Sequence, residues 1–243
     1  MNVRALCALA AAGLAACTSP SRAAITLQNG EQVQLDAVLS SSDHQVIVGD
    51  KLFTFIAYTS VAFPSTGLSV VGYVAQNPLS GTGFDLTGGF ADVNPGDSVI
   101  SEFNLRYTVE VLPAFLQQGY RITDSELLFN GAATGVGSYA RVDETLLDYF
   151  AQPGTNLITT ASAFALGFNP PANQLQDYHT FGPPGYAKIE VNKDVQFFAH
   201  GTGSGATASF VRQSFSQIPS PGAITLVAFA GLIVGARRRR RTP

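Results

Sequence analysis

The 243-residue chain has no tryptophan, one methionine, two cysteines and three histidines. Each shortage removes a class of chemistry. Both cysteines, Cys7 and Cys17, lie near the start. The remainder therefore has no internal disulfide, no thiol nucleophile and no thiolate metal site. His44, His179 and His200 are far apart in sequence and show neither H-x-x-x-H nor H-x-H spacing, whereas zinc needs three or four converging ligands. No serine sits in a G-x-S-x-G elbow, and Gly201-Thr202-Gly203-Ser204-Gly205 lacks the Lys-Ser/Thr of a phosphate loop. No catalytic residue, cofactor or metal is assigned, and the chain is expected not to be an enzyme.

Charge is scarce as well, at 13% of residues, and it is segregated. Arg4, Arg22, Arg237, Arg238, Arg239, Arg240 and Arg241 occupy the two ends. All 17 acidic residues lie between positions 25 and 218, against seven basic ones, so the middle carries a net charge of −10. Such a domain is repelled by nucleic acid and anionic lipid, which excludes a nucleic-acid partner.

The ends explain themselves as addresses. Arg4, an apolar run over 5–17 and small residues up to Ala24 read as a secretory signal peptide, 1–24, cut by signal peptidase after Ala23 or Ala24. Leu14-Ala15-Ala16-Cys17 also fits a lipobox, in which Cys17 would be lipidated. At the other end, Pro219-Ser220-Pro221 precedes an uncharged apolar run, 222–236, and the five arginines 237–241. The prolines cannot continue a helix or a central strand. As a helix the 15-residue run reaches about 22 Å at ~1.5 Å per residue, short of a ~30 Å hydrocarbon core, and the arginines act as a cytoplasmic stop. This segment, 218–243, predicts a transient inner-membrane anchor.

Between the ends, 25–217 is rich in Gly, Thr, Val, Phe and Tyr and shows no long helical period. Over 99–112, Phe103, Leu105, Tyr107, Val109 and Val111 alternate with polar residues, the period of a half-buried strand stopped by Pro113. Shorter runs give further strands at 25–27, 32–35, 46–48, 52–60, 68–75, 83–87, 121–129, 135–142, 156–168, 187–191, 195–199 and 206–215. Asn29-Gly30 predicts a hairpin turn between the first two. Short helices are expected near 38–43 or 145–150. Regular turns between short strands predict an all-β ectodomain, an antiparallel, jelly-roll-like β-sandwich.

The tripartite tail resembles the PEP-CTERM sorting signal, with Ser220 where that family has its central Glu. The resemblance implies recognition by an exosortase, a membrane cysteine transpeptidase, cleavage near the Pro motif, and delivery to the cell envelope, cell surface or extracellular matrix. Some proteins of that group also look similar in three ectodomain stretches, here Val48-Gly49-Asp50-Lys51-Leu52-Phe53, Lys193-Asp194 and Gln213-Ser214-Phe215-Ser216-Gln217. The resemblance brings no activity with it.

The function expected is thus a non-enzymatic, exported envelope or matrix protein. The alternative is a carbohydrate-binding or adhesive module with extracellular polysaccharide as partner and Tyr73, Tyr120, Tyr139, Tyr178 and Tyr186 as candidate stacking residues. A secreted hydrolase is the third reading, on the neighbouring carboxylates Asp143-Glu144 or Asp124 and Glu126, which otherwise read as solvated turn residues. Asp92 and Asn94 begin like a calcium loop, but Asp97 and Phe103 stand where its Gly and Glu belong, so a plain turn is expected there.

Overall fold

The computed structural model describes residues 24–75, 81–92, 96–152, 155–168 and 172–219. Residues 1–23 of the expected signal peptide, with Cys17, and Ser220, Pro221, the apolar run 222–236 and the arginines 237–241 lie outside the described residues. Among the described residues, no helix is long and apolar enough to cross a membrane.

The described chain forms 17 strands: β1 (Ile25–Leu27), β2 (Gln32–Gln34), β3 (Gln45–Val48), β4 (Lys51–Ser60), β5 (Ser69–Val74), β6 (Thr82–Ala91), β7 (Ser101–Val111), β8 (Tyr120–Ile122), β9 (Asp124–Phe129), β10 (Ala132–Thr134), β11 (Tyr139–Asp148), β12 (Leu157–Leu166), β13 (Ala172–Gln174), β14 (Gln176–Thr180), β15 (Lys188–Phe198), β16 (Gly205–Phe215) and β17 (Gln217–Pro219). Two short α-helices, α1 (Leu35–Ser40) and α2 (Pro113–Leu116), and one 3-10 turn, Ser65–Gly67, complete it. Sheet A has the order β1-β3-β4-β7-β15-β11-β12-β13; sheet B has β14-β9-β16-β6-β5-β2, with β10 against β16; β17 pairs with β8.

The two sheets share one core. Phe53, Phe55 and Tyr107 of sheet A meet Phe84 of sheet B with ring centroids 5.2, 5.5 and 5.2 Å away. Further along, Phe90 of sheet B stacks on Phe103 and Phe197 of sheet A at 5.4 and 5.8 Å. All seven rings are fully buried. Each contributes about 1.5–3 kcal/mol of burial, and offset or edge contacts add about 0.5–1.5 kcal/mol per pair.

The expected sandwich is present, and its central strand is the one most legible in sequence. β7 buries Phe103, Leu105, Tyr107, Val109 and Val111, and Pro113 starts α2 just beyond it. Three local expectations need correction. The Asn29-Gly30 turn, with Gly30 at φ 81°, is no hairpin turn, because β1 pairs with β3 in sheet A and β2 with β5 in sheet B. The β1–β3 pair is also parallel, so the sandwich is not wholly antiparallel. Residues 145–148 continue β11 instead of forming a helix, since Leu146 fills a buried slot opposite Val191. The helix expected near 38–43 is α1, shifted toward the N-terminus so that Leu35 and Val38 are buried.

Several inward positions break the apolar rule, among them Lys51 of β4 and a group of three from other strands. Glu144 of β11, Lys193 of β15 and Gln213 of β16 are all buried, between Val142 and Leu146, Val191 and Val195, and Val211 and Phe215 respectively.

Candidate functional site

The outer face of sheet B collects side chains from five adjacent strands. Register fixes which ones: Tyr73 of β5 lies opposite Gly83, Val71 opposite Asp85, Asp85 opposite Arg212, Arg212 opposite Leu128, and Glu126 opposite Tyr178. From Tyr73 to Tyr178 the face crosses four strand spacings, about 19 Å at ~4.8 Å each.

At its centre is Arg212. Its Nε and Nη2 donate to Asp85 Oδ1 and Oδ2 at 2.6 and 2.8 Å, a bidentate fork. The guanidinium lies 3.8 Å from the Tyr73 ring centroid and 5.7 Å from that of Phe210. The hydrogen bonds to Asp85 hold the guanidinium charged, raised above its ordinary range. Toward β14, Gln176 Nε2 donates to Glu126 Oε1 at 2.5 Å and Ser214 Oγ donates to Glu126 Oε2 at 3.1 Å. Tyr178 Oη donates to Asp124 Oδ2 at 3.0 Å, and the Ser216 N–H donates to Asp124 Oδ1 at 2.8 Å. Burial first, then the Asp124 carboxylate, pushes the Tyr178 hydroxyl above the usual phenol range. Asp124 also lines a cleft of about 420 Å³ with Thr123, Thr180, Phe181, Pro184 and Ile218. The face therefore offers flat rings, a held guanidinium and oriented carboxylates and amides, running into a cleft large enough for a small ligand.

The outer face of sheet A differs. Most of its charges are paired: Arg106 with Glu190 at 2.7 Å and Lys188 with Glu110 at 3.2 Å across strands, and Arg141 with Asp143 at 2.5 Å along β11. Burial, then Glu102, raises the Asp194 carboxyl above its ordinary value. This is a solvated strand face with a shallow depression of about 250 Å³.

The candidate tyrosines separate accordingly. Tyr73 and Tyr178 share the outer face of sheet B. Tyr139 packs on Phe198 of sheet A, Tyr120 on Phe115 and Tyr186 on Phe181. Of the carboxylate pairs, Asp143 points outward and Glu144 inward on β11, so they do not face one cleft. Asp124 and Glu126 do share a face, on a strand and not in a turn, and each of their oxygens accepts a hydrogen bond. Asp92 is turned inward, accepting from the Ala199 N–H at 2.6 Å and from Ser101 Oγ at 3.1 Å. Among the described residues, no group of His, Cys, Asp or Glu is fit to hold a metal ion. Of Pro219-Ser220-Pro221, the stretch expected to be a sorting motif, the Pro219 backbone ends β17 opposite Tyr120. Sequence reading did not single out Arg212 or Asp85. Their outward parity was readable on β16 and β6, but the pairing of those strands was not.

No family model matches the chain, and no curated protein matches it. Among solved structures it is similar to TmCBM61 in complex with beta-1,4-galactotriose, at 13% identity and TM-score 0.31 over 68% of this chain and 88% of that one. It is similar to the carbohydrate-binding module TmCBM27, described for mannan recognition, at 13% identity and TM-score 0.28 over 76% and 95%. A third likeness, to promiscuous carbohydrate-binding modules of the β-sandwich superfamily, has 11% identity and TM-score 0.27 over 79% and 63%.

Proposed function

We propose that the chain is an exported, non-catalytic surface protein that binds extracellular polysaccharide across the outer face of sheet B. The observation that carries this is the Arg212 fork, held by Asp85 and 3.8 Å from the Tyr73 ring centroid, on one face with Glu126, Gln176 and Tyr178. A sugar offers hydroxyl groups as paired donors and acceptors and a flat C–H face. Carboxylates, amides and a guanidinium match the first, and rings match the second. The net charge of −10 over the middle of the chain favours a neutral or basic glycan over an acidic one.

The non-catalytic reading is supported by the carboxylates. Asp124 and Glu126 are committed as acceptors within the sheet. A glycosidase needs one carboxyl free to give a proton and another free to attack or activate water. The route to the surface rests on the ends: signal peptidase acts on 1–24 or, in the lipobox alternative, Cys17 is lipidated, and an exosortase acts at Pro219, Ser220 and Pro221 while 222–236 holds the chain in the inner membrane.

The test is a glycan array probed with the exported protein, its Tyr73→Ala variant and its Arg212→Ala variant. Binding by the parent and loss in both variants is expected. An array on which the folded parent binds no glycan, or binding that survives both changes, refutes this site.

A further inference from the structure

We infer that Lys193 and Gln213 are joined by an intramolecular amide bond that links the two sheets, with Glu144 as the carboxylate that carries the protons. The inference is independent of the glycan reading, because it concerns the interior and not the outer face.

The geometry is that of a reactive trio. Lys193 and Glu144 are directly opposite one another in the β15–β11 register, and Leu105 of β7 flanks Lys193 on the other side. Lys193 Nζ lies 2.5 Å from Glu144 Oε2 and 2.9 Å from Oε1 of Gln213, which comes from the facing sheet. That oxygen is one bond, about 1.23 Å, from the carbon that would be attacked. The amide is fixed in orientation: Gln213 Nε2 donates to Ser125 Oγ at 2.7 Å and to the Glu126 carbonyl at 3.2 Å, so Oε1 is the end turned to the lysine. The side chains of Lys193 and Glu144 are 2% and 0% exposed, and Gln213 is fully buried. Water is thus kept from competing as a nucleophile.

As separate groups these residues are poorly satisfied. Glu144 Oε1 and the nearby Tyr107 hydroxyl are buried with no hydrogen-bond partner among the described residues. The Glu144 charge helps hold the Tyr107 hydroxyl un-ionised, after burial itself. A buried ion pair repays its desolvation only when the remaining lone pairs are satisfied, and here one is not. Amide formation removes both charges. Glu144 takes one proton from Nζ, leaving a neutral amine. Nζ bonds to Cδ of Gln213, its second proton passes through the Glu144 carboxyl to Nε2, and the Cδ–Nε2 bond breaks. One ammonia leaves, nothing is oxidised or reduced, and the products are a neutral amide and a neutral Glu144 carboxyl. The bond would tie β15 to β16 in a domain whose sequence over 25–217 has no cysteine for a disulfide.

The experiment is intact mass spectrometry of the purified, denatured protein against the sequence between its measured termini, with fragment ions around positions 193 and 213. The expected result is a chain lighter by one ammonia, with Lys193 resistant to trypsin and joined to Gln213. Glu144→Gln, and independently Gln213→Asn, which withdraws the amide by one methylene, are each expected to give the full sequence mass while circular dichroism reports a folded β protein. A parent chain at full mass with a cleavable Lys193 overturns the inference. So does a chain lighter by one water with Lys193 on Glu144. Formation of the bond in Glu144→Gln overturns the role given to that carboxylate.

Discussion

Arg212→Lys separates what the guanidinium does for the fold from what it does for the proposed ligand. Lysine keeps the charge, but it cannot hold Asp85 through two parallel bonds or lie flat on a ring. In the native protein those bonds are 2.6 and 2.8 Å and the Tyr73 centroid is 3.8 Å away. Arg212 and Asp85 are 24% and 15% exposed, so solvent screens the pair in part. The ion pair is then worth about 0.2–1 kcal/mol and the ring contact about 0.5–1 kcal/mol. Losing the ring contact and half the fork should cost about 1 kcal/mol of folding stability, measured as a lowered urea midpoint at unchanged slope. Binding should suffer more, because the planar donor meets the ligand directly. Isothermal titration with a glycan found on the array should show at least about a tenfold weaker Kd, or about 1.4 kcal/mol. Affinity for a neutral glycan should change little with salt, since no long-range charge attraction is involved. A folded Arg212→Lys protein that binds within about twofold of the parent would refute the assignment of Arg212 to the ligand.

Other outcomes follow from the same structure. Phe84→Ala empties a space between Phe53, Phe55 and Tyr107 and should destabilise by about 3–5 kcal/mol in denaturant titration. Tyr58, half-buried and donating to the Phe63 carbonyl, has its hydroxyl pushed up to about 12, chiefly by burial. Its un-ionised form therefore supports the fold fully below about pH 10. That support is lost as pH rises from there through the folded value. Comparison with Tyr58→Phe in a spectrophotometric titration should show one phenol ionising late and a shallower alkaline loss of stability in the variant. For the tail, mass spectrometry of surface-exposed protein should find a new C-terminus near Pro219, Ser220 or Pro221; recovery of the intact 237–241 arginines in that fraction would refute processing.

The sequence alone determined what local physics controls. Period-two alternation is a property of one strand, so β7 and its buried face could be read without knowing its neighbours. Pro113, which lacks an N–H, ended that strand wherever it lay. Composition, through scarce Cys, absent Trp and segregated charge, restricted the chemistry and set the two ends apart. The same alternation marks Glu144, Lys193 and Gln213 as polar residues in apolar registers, a signal present in three separate strands.

Only the tertiary structure decided which strands are neighbours. β1 and β2 are separated by Asn29-Gly30, a hairpin signal in sequence, yet they go to different sheets, because each finds its pairing partner elsewhere. Tyr73, Asp85, Glu126, Tyr178 and Arg212 are spread over 140 positions of sequence, and pairing of β5, β6, β16, β9 and β14 places them on one face. Lys193 and Gln213 belong to strands that are consecutive in sequence but lie in opposite sheets, so their contact follows from sheet packing, not from pairing within a sheet. Parity along a strand is local and fixes which side a residue takes. The partner it meets on that side depends on long-range pairing, and no stretch of the chain encodes that by itself.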